Sequence, residues 1–267
     1  MDTGTQNPNM TRRAVQIVLA VVGIVGLYYL YKFLFVSSST SMSALISGNK
    51  TASTNPSSPI IIPASSMVPI YEGGTFTLSM WININNWNYR QGMNKYILGI
   101  GGTTFDTIRV YLGANKAKLH VRIQTKEMNA VPAGNSTTPS TDSDNLAATN
   151  LQQTFANLQT DSGLLDSLEL CDLPEVDLQK WVNITISING RTCDIYLDGK
   201  LTRSCVLPSF YKVDTGYKAT LLAYGGFGGN ISTVNLYSDA LNPSAIYGIY
   251  SAGPAPSGIM GTIQSLL

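Results

Sequence analysis

Apolar and polar positions alternate through most of the chain beyond residue 75. In Thr75–Ile84 (TFTLSMWINI), Phe76, Leu78, Met80, Ile82 and Ile84 alternate with Thr77, Ser79, Trp81 and Asn83, the period of two that marks a strand with one buried face. The same period runs through Ile108–Leu112, Leu119–Ile123 and Val182–Ile188, and GANK between the first two predicts a hairpin loop. Tyr96–Ile100 is a short apolar run closed by Gly101-Gly102. Cys193, Ile195 and Leu197 follow an Asn189-Gly190 turn, and Asp198-Gly199 closes a second hairpin into Leu201–Val206. Ala219–Tyr224 and Ile231–Tyr237 supply two more strands. LNPSAIYGIY then predicts a short helix with Asn242 as N-cap and Pro243 at the first helical position. Many short strands and polar turns predict an all-β antiparallel sandwich.

A different pattern precedes it. Residues 14–36 (AVQIVLAVVGIVGLYYLYKFLFV) are apolar without a period of two. About 23 residues at 1.5 Å each span a ~30 Å hydrocarbon layer, so one N-terminal transmembrane helix is expected. Tyr28, Tyr29 and Tyr31 suit a headgroup boundary, and Lys32 can snorkel there. A secretory signal peptide is the competing reading, but its apolar core runs only ~7–15 residues. Arg12 and Arg13 precede the span, so the positive-inside rule puts the N-terminus inside and everything after Val36 outside. The lipid bilayer is then the first expected partner.

The chain divides into a tail (1–13), the span (14–36), a Ser/Thr/Pro-rich linker (37–69), the sandwich (70–250) and a C-terminal tail (251–267). Residues 127–179 interrupt the sandwich as an acidic insertion without Lys or Arg, and a loop of that length is functional or disordered more often than not. Leu151, Phe155 and Leu158 within it are spaced for a short amphipathic helix.

Three segments in order resemble the concanavalin A-like (laminin-G-like) jelly-roll superfamily. They are FTLSMWI at Phe76–Ile82, KWVNITISINGRTCDIYLDGKL at Lys180–Leu201, and GGFGGNISTVNLYSDALNPSAIYGIY at Gly225–Tyr250. The resemblance implies a jelly roll preceded by the anchor, a fold that serves lectins, glycanases, adhesion modules and spacers alike. Where the family often carries Asp after the first Phe and an Asp-Glu pair in the closing strand, this chain has Gly228 and Ser232-Thr233. A calcium or sugar role resting on those acids is therefore not carried over. Span plus jelly roll is also similar in layout and composition to membrane-associated minor capsid proteins of large DNA viruses.

Composition narrows the chemistry. Lys and Arg number 17 against 16 Asp and Glu, and charged residues are only 12%, so no basic face is available to displace counterions from nucleic acid. The single histidine, His120, removes two-histidine metal sites and most histidine-based triads. A retaining glycanase needs two carboxylates ~5 Å apart. Glu175 and Asp177 are the nearest approach, but Gln179 and Lys180 stand where a second glutamate belongs. Glu169, Asp172 and Glu175 have the wrong spacing and Pro174 interrupts them. No enzyme activity is expected, and no cofactor beyond a candidate calcium site.

That site is Asp142, Asp144 and Asn145 in TDSDN, oxygen donors without the glycine turn and distal glutamate of an EF-hand loop; a solvated loop is the competing reading. For sugar, NNWNYRQ offers Trp87, Tyr89 and Arg90 just after the first strand, unless Trp87 packs under the loop edge. Cys193 and Cys205 flank the Asp198-Gly199 turn. A three-residue loop sets them opposite one another within disulfide reach, whereas a two-residue loop pairs Cys193 with Ser204 and leaves buried thiols. Cys171 would then be left over. Sequons at Asn49 and Asn135 are expected in loops, and those at Asn183 and Asn230 in or beside strands.

Two functions follow. In one, the outer domain is a non-enzymatic structural part of a membrane assembly, plausibly a virion, docking neighbouring structural proteins through the linker, the insertion and the apolar tail. In the other, rim loops bind a glycan and the protein is a tethered lectin.

Overall fold

The computed structural model describes residues 16–28, 40–126 and 171–255 and divides the chain into two compact units, Met1–Thr40 and Ser41–Leu267. In the first, residues 16–28 form a helix, α1, with Val18, Ile24 and Leu27 among its exposed apolar side chains. Among the described residues no helix is long and apolar enough to cross a membrane. Tyr28 lies at the end of α1 and is exposed. Arg12, Arg13, Tyr29, Tyr31 and Lys32 lie outside the described residues, as do Asp142, Asp144, Asn145 and the expected helix around Phe155.

The second unit is the expected antiparallel sandwich. Its strands are β1 (Met42–Ser53), β2 (Ile60–Pro63), β3 (Thr75–Ile84), β4 (Lys95–Gly101), β5 (Asp106–Leu112), β6 (Leu119–Ile123), β7 (Trp181–Asn189), β8 (Thr192–Leu197), β9 (Lys200–Val206), β10 (Lys218–Leu221) and β11 (Gly226–Tyr237). One sheet has six strands in the order β1-β11-β3-β7-β8-β9, the other five in the order β2-β10-β4-β5-β6. Register explains why the alternation was so clean. Phe76 faces Ile188, Leu78 faces Ile186 and Ile82 faces Val182, while Ile231 and Leu236 complete those rows from β11. In the five-stranded sheet, Ala219, Ile100, Ile108 and Ile123 form one row and Leu221, Leu98, Val110 and Val121 another. These rows meet in one core from which water is excluded.

The linker expectation is corrected. Met42–Ser53 is the edge strand β1 on β11, and Ile60–Pro63 is β2 on β10. β1 carries register shifts at three places, and bulges scramble the alternation that would betray a strand in sequence. Asn49 therefore stands exposed on an edge strand rather than in a loop. The helix α2 (Pro243–Ala252) begins as expected: Asn242 Oδ1 accepts from Ala245 N at 2.8 Å with Pro243 in the first turn.

Candidate functional site

The outward positions of β3 and β7 form a polar and aromatic face on the six-stranded sheet. Trp81 lies between Ser232 and Asn183, and Asn83 between Asn230 and Trp181. Because directly paired residues point to the same side, two tryptophans, three asparagines and a serine share this face. Its far end is closed. Thr77 Oγ1 donates to the Asp239 carbonyl at 2.8 Å and accepts from Leu241 N at 3.0 Å. Beside it Thr185 Oγ1 bonds Ser79 Oγ and Asn183 Oδ1, each at 3.0 Å. Tyr250 of α2 stacks on Trp81, ring centroids 5.8 Å apart.

The near end stays open. Trp181, Asn83 and Asn230 are all partly exposed, and beyond them begins the rim loop with exposed Asn85, Asn86 and Asn88. Two polar atoms here have no hydrogen-bond partner: Trp81 Nε1 and Asn83 Oδ1. A buried donor and a buried acceptor left unmade are costly to the protein; Trp81 is covered by Tyr250, whereas Asn83 is itself partly exposed at the open end. At the flank, Lys180 binds Asp177 at 2.7 Å and Asp198 at 3.7 Å, and its bond to Asp177 holds the ammonium above its usual range. Asp198 Oδ1 also accepts from Asn183 N at 2.9 Å. The two carboxylates therefore share one lysine instead of flanking an open space, and Glu175 is exposed.

The expected sugar residues Trp87, Tyr89 and Arg90 brace the rim. Trp87 packs on the core, with Lys95 Nζ 4.0 Å above its ring. Lys95 is itself buried and donates to the carbonyls of Arg90, Met93 and Ala114, each at 3.3 Å. Tyr89 Oη donates to the Gly225 carbonyl at 3.0 Å. That contact steadies a turn in which Leu222 and Tyr224 both hold φ of 55°, a conformation costing non-glycine residues ~1 kcal/mol or more each. Trp87 and Tyr89 are held by these contacts, whereas Arg90 gives Lys95 its backbone carbonyl and its guanidinium Nε is buried without a partner. The partly exposed Trp181, Asn83 and Asn230 of the open row were not among the candidates read from the sequence. The signal was present in sequence, as polar and aromatic residues in the outward phase of two strands.

On the opposite side of the sandwich, the five-stranded sheet turns charge outward and buries it. Arg109 and Asp106 form an ion pair, with the Arg109 Nε–Oδ2 distance 2.6 Å, in a small cleft shared with Tyr96, Lys218, Thr220 and Tyr224. Further along, His120 Nδ1 lies 2.9 Å from Asp172 Oδ2, Val121 N donates to Oδ1 at 3.0 Å, and Arg122 pairs with the same carboxylate. Burial opposes ionisation of Asp172, but the bonds from His120 and Arg122 outweigh it and hold the carboxyl below its usual range. Tyr111 stacks on the imidazole at 4.8 Å. Arg122 Nη2 also lies 3.2 Å from the same imidazole nitrogen, so the histidine, the carboxylate and the guanidinium form one cluster. The cluster fixes a strap, residues 171–176, whose Leu173 bridges Leu119 on β6.

The strap also corrects the disulfide. Cys205 is bonded to Cys171, Cα atoms 5.7 Å apart, and Cys193 is the free thiol. The Asp198-Gly199 turn has two residues, since Leu197 faces Lys200, yet a bulge at Thr202 restores Cys193 opposite Cys205. Burial, aided by Asp194, pushes the Cys193 thiol up to about 12, which keeps it protonated at neutral pH while no metal is bound. With β6 and β9 each at a sheet edge, the bond ties the strap on one sheet to the edge of the other.

Residues 140–247 match the family model Laminin_G_3, described as the concanavalin A-like lectin/glucanases superfamily. No curated protein matches the chain. Among solved structures, the crystal structure of an HCR/D mutant is similar at 12% identity and a TM-score of 0.51, with 81% of this chain and 48% of that one covered. The botulinum neurotoxin serotype D ligand binding domain, solved with N-acetylneuraminic acid, matches at 13% identity and a TM-score of 0.46, covering 80% of this chain and 46% of that one. The chain thus spans less than half the length of each. Identity this low makes the likeness to the HCR/D structure one of fold alone.

Proposed function

We propose that the sandwich is a non-catalytic glycan-recognition domain, tethered at a membrane by the N-terminal apolar segment. The observation that carries this is the open end of the six-stranded sheet's outer face, where Trp181, Asn83 and Asn230 stand in one row. An indole face receives the C–H side of a pyranose, and amides on either hand satisfy its hydroxyls. The charges beside that row, Lys180, Asp177 and Asp198, are paired with one another, which leaves amides to meet a sugar's hydroxyls. The carboxylates beside it, Asp177 and Asp198, are drawn to Lys180, which is the wrong arrangement for an acid and a nucleophile. The superfamily whose model matches residues 140–247 takes its description from lectins as well as glucanases.

The test is a glycan array probed with the full chain in a detergent that has no sugar headgroup. Saturable binding that Trp181→Ala abolishes and Trp87→Ala spares supports the reading. An empty array with folded protein, or binding indifferent to Trp181, refutes it. A second reading, docking against neighbouring structural protein, draws on β9, an edge strand that exposes Leu201 and Val206. Cross-linking in the native membrane tests that one, and adducts confined to lipid would remove it.

A further inference from the structure

The three cysteines converge from separate parts of the chain. Cys193 comes from β8, Cys205 from β9 and Cys171 from the strap, and their sulfurs all lie within 4.8 Å of one another. All three are buried. The disulfide uses Cys171 and Cys205 alone, so Cys193 at the same point has no part in the covalent tie. We propose that, once the disulfide is reduced, Cys171, Cys193 and Cys205 form a binding site for a soft thiophilic cation, and that Cu(I) is the ion they suit.

The donor set decides the ion. A metal–sulfur bond of about 2.3 Å places three sulfurs of a trigonal site about 4 Å apart, within the spread already present. Among the described residues the cluster contains cysteine only, with no histidine or carboxylate joining it, so hard oxygen-seeking ions are excluded. Structural zinc takes four protein ligands, and this cluster offers three in a buried place. Thiolate donors in low number select Cu(I). Reduction must come first: a dithiol gives two electrons and two protons to the Cys171–Cys205 bond, becoming a disulfide itself and leaving two thiols. Metal binding then displaces thiol protons to solvent as the metal–sulfur bonds form. The ion takes over the disulfide's place between strap and β9, so the sandwich keeps its edge closed in either redox state.

The experiment uses the full chain, reduced with dithiothreitol, freed of reductant under nitrogen and titrated with Cu(I) held by bicinchoninate. One copper per chain is expected to transfer to the reduced protein and none to the oxidised protein. Cys193→Ala should lower the affinity at least tenfold. This variant retains the Cys171–Cys205 pair, so its fold is checked in the oxidised form by circular dichroism. No transfer to wild type with three titratable thiols overturns the proposal, as does undiminished binding by folded Cys193→Ala. A tetrahedral thiolate spectrum with Co(II) would reveal a fourth donor and overturn the trigonal assignment.

Discussion

Replacing Cys171 with alanine removes the covalent tie between the strap and β9 without leaving a polar atom in its place. The disulfide closes a loop of sequence separation 34, and chain-entropy arithmetic for that length gives a loss of about 3.8 kcal/mol at 25 °C. In a domain of this size such a loss lowers the melting temperature by roughly 7–15 °C. The measurement is urea unfolding followed by tryptophan fluorescence, with chelator present so that no metal substitutes for the bond. Wild type with reductant should move toward the midpoint of Cys171→Ala, while the variant itself should ignore reductant. Cys193→Ala, which retains the bond, should lose stability on reduction as wild type does. If Cys171→Ala unfolds within about 1 kcal/mol of oxidised wild type, the pairing of Cys171 with Cys205 is refuted, since a bond of this span constrains the unfolded chain wherever it sits.

Three other outcomes are expected. Trp181→Ala and Asn83→Ala should each weaken glycan binding tenfold or more, about 1.4 kcal/mol, with calorimetry as the check and equal affinity in both variants as the contrary result. Because the folded Asp172 carboxyl ionises below its usual range, its contribution is fully present above the ordinary pKa of about 3.9. It is lost as pH falls through the lower folded value; Asp172→Asn should flatten stability over that acid window, measured by urea midpoints, and an unchanged slope would contradict it. Gly229→Ala should cost several kcal/mol, since a Cβ there runs into the Asn83 carbonyl where β11 and β3 touch. Soluble yield and thermal melting report it, and a melting point like that of wild type would show the two strands are not so closely apposed.

What the sequence disclosed and what it hid follow from the range of the forces involved. The inner faces of β3 and β7 were legible because a one-residue slip would turn Phe76 and Leu78 to water, so burial writes a strict period of two. The Asn242 cap was legible because it is local, decided within four residues. β1 was not, because an edge strand with three register shifts has neither a constant inner face nor a buried pair on both sides. The cysteine pairing was hidden by two non-local facts. A bulge at Thr202 restores a register that the turn length alone denies, and Cys171 reaches the same point through a strap whose place is set by Leu119, His120 and Arg122 on another sheet. The candidate site was half written: its residues stood in the outward phase of β3 and β7, but only pairing across the sheet sets Asn83 beside Trp181.

The two outer faces hold their polar residues differently, although the six-stranded one also carries Asp194, bonded to Ser204 toward its edge. The five-stranded sheet carries Arg109, Arg122 and His120 outward and matches them with Asp106 and Asp172, under burial that an unpaired charge would not tolerate. His120 and Arg122 close the sandwich through Asp172 of the strap, while Arg109 and Asp106 pair within the sheet's own cleft. Around Trp81 the six-stranded sheet carries hydroxyls, amides and indoles, covers them with the 238–242 segment and with Tyr250 of α2, and leaves Asn83 Oδ1 unmatched toward the open end. A protein gains nothing in stability from that unmade bond. On the proposed reading a ligand rich in hydroxyls meets Asn83, Asn230 and the indole of Trp181 there, whereas hydrolysis would need two free carboxylates and Asp177 and Asp198 are both drawn to Lys180.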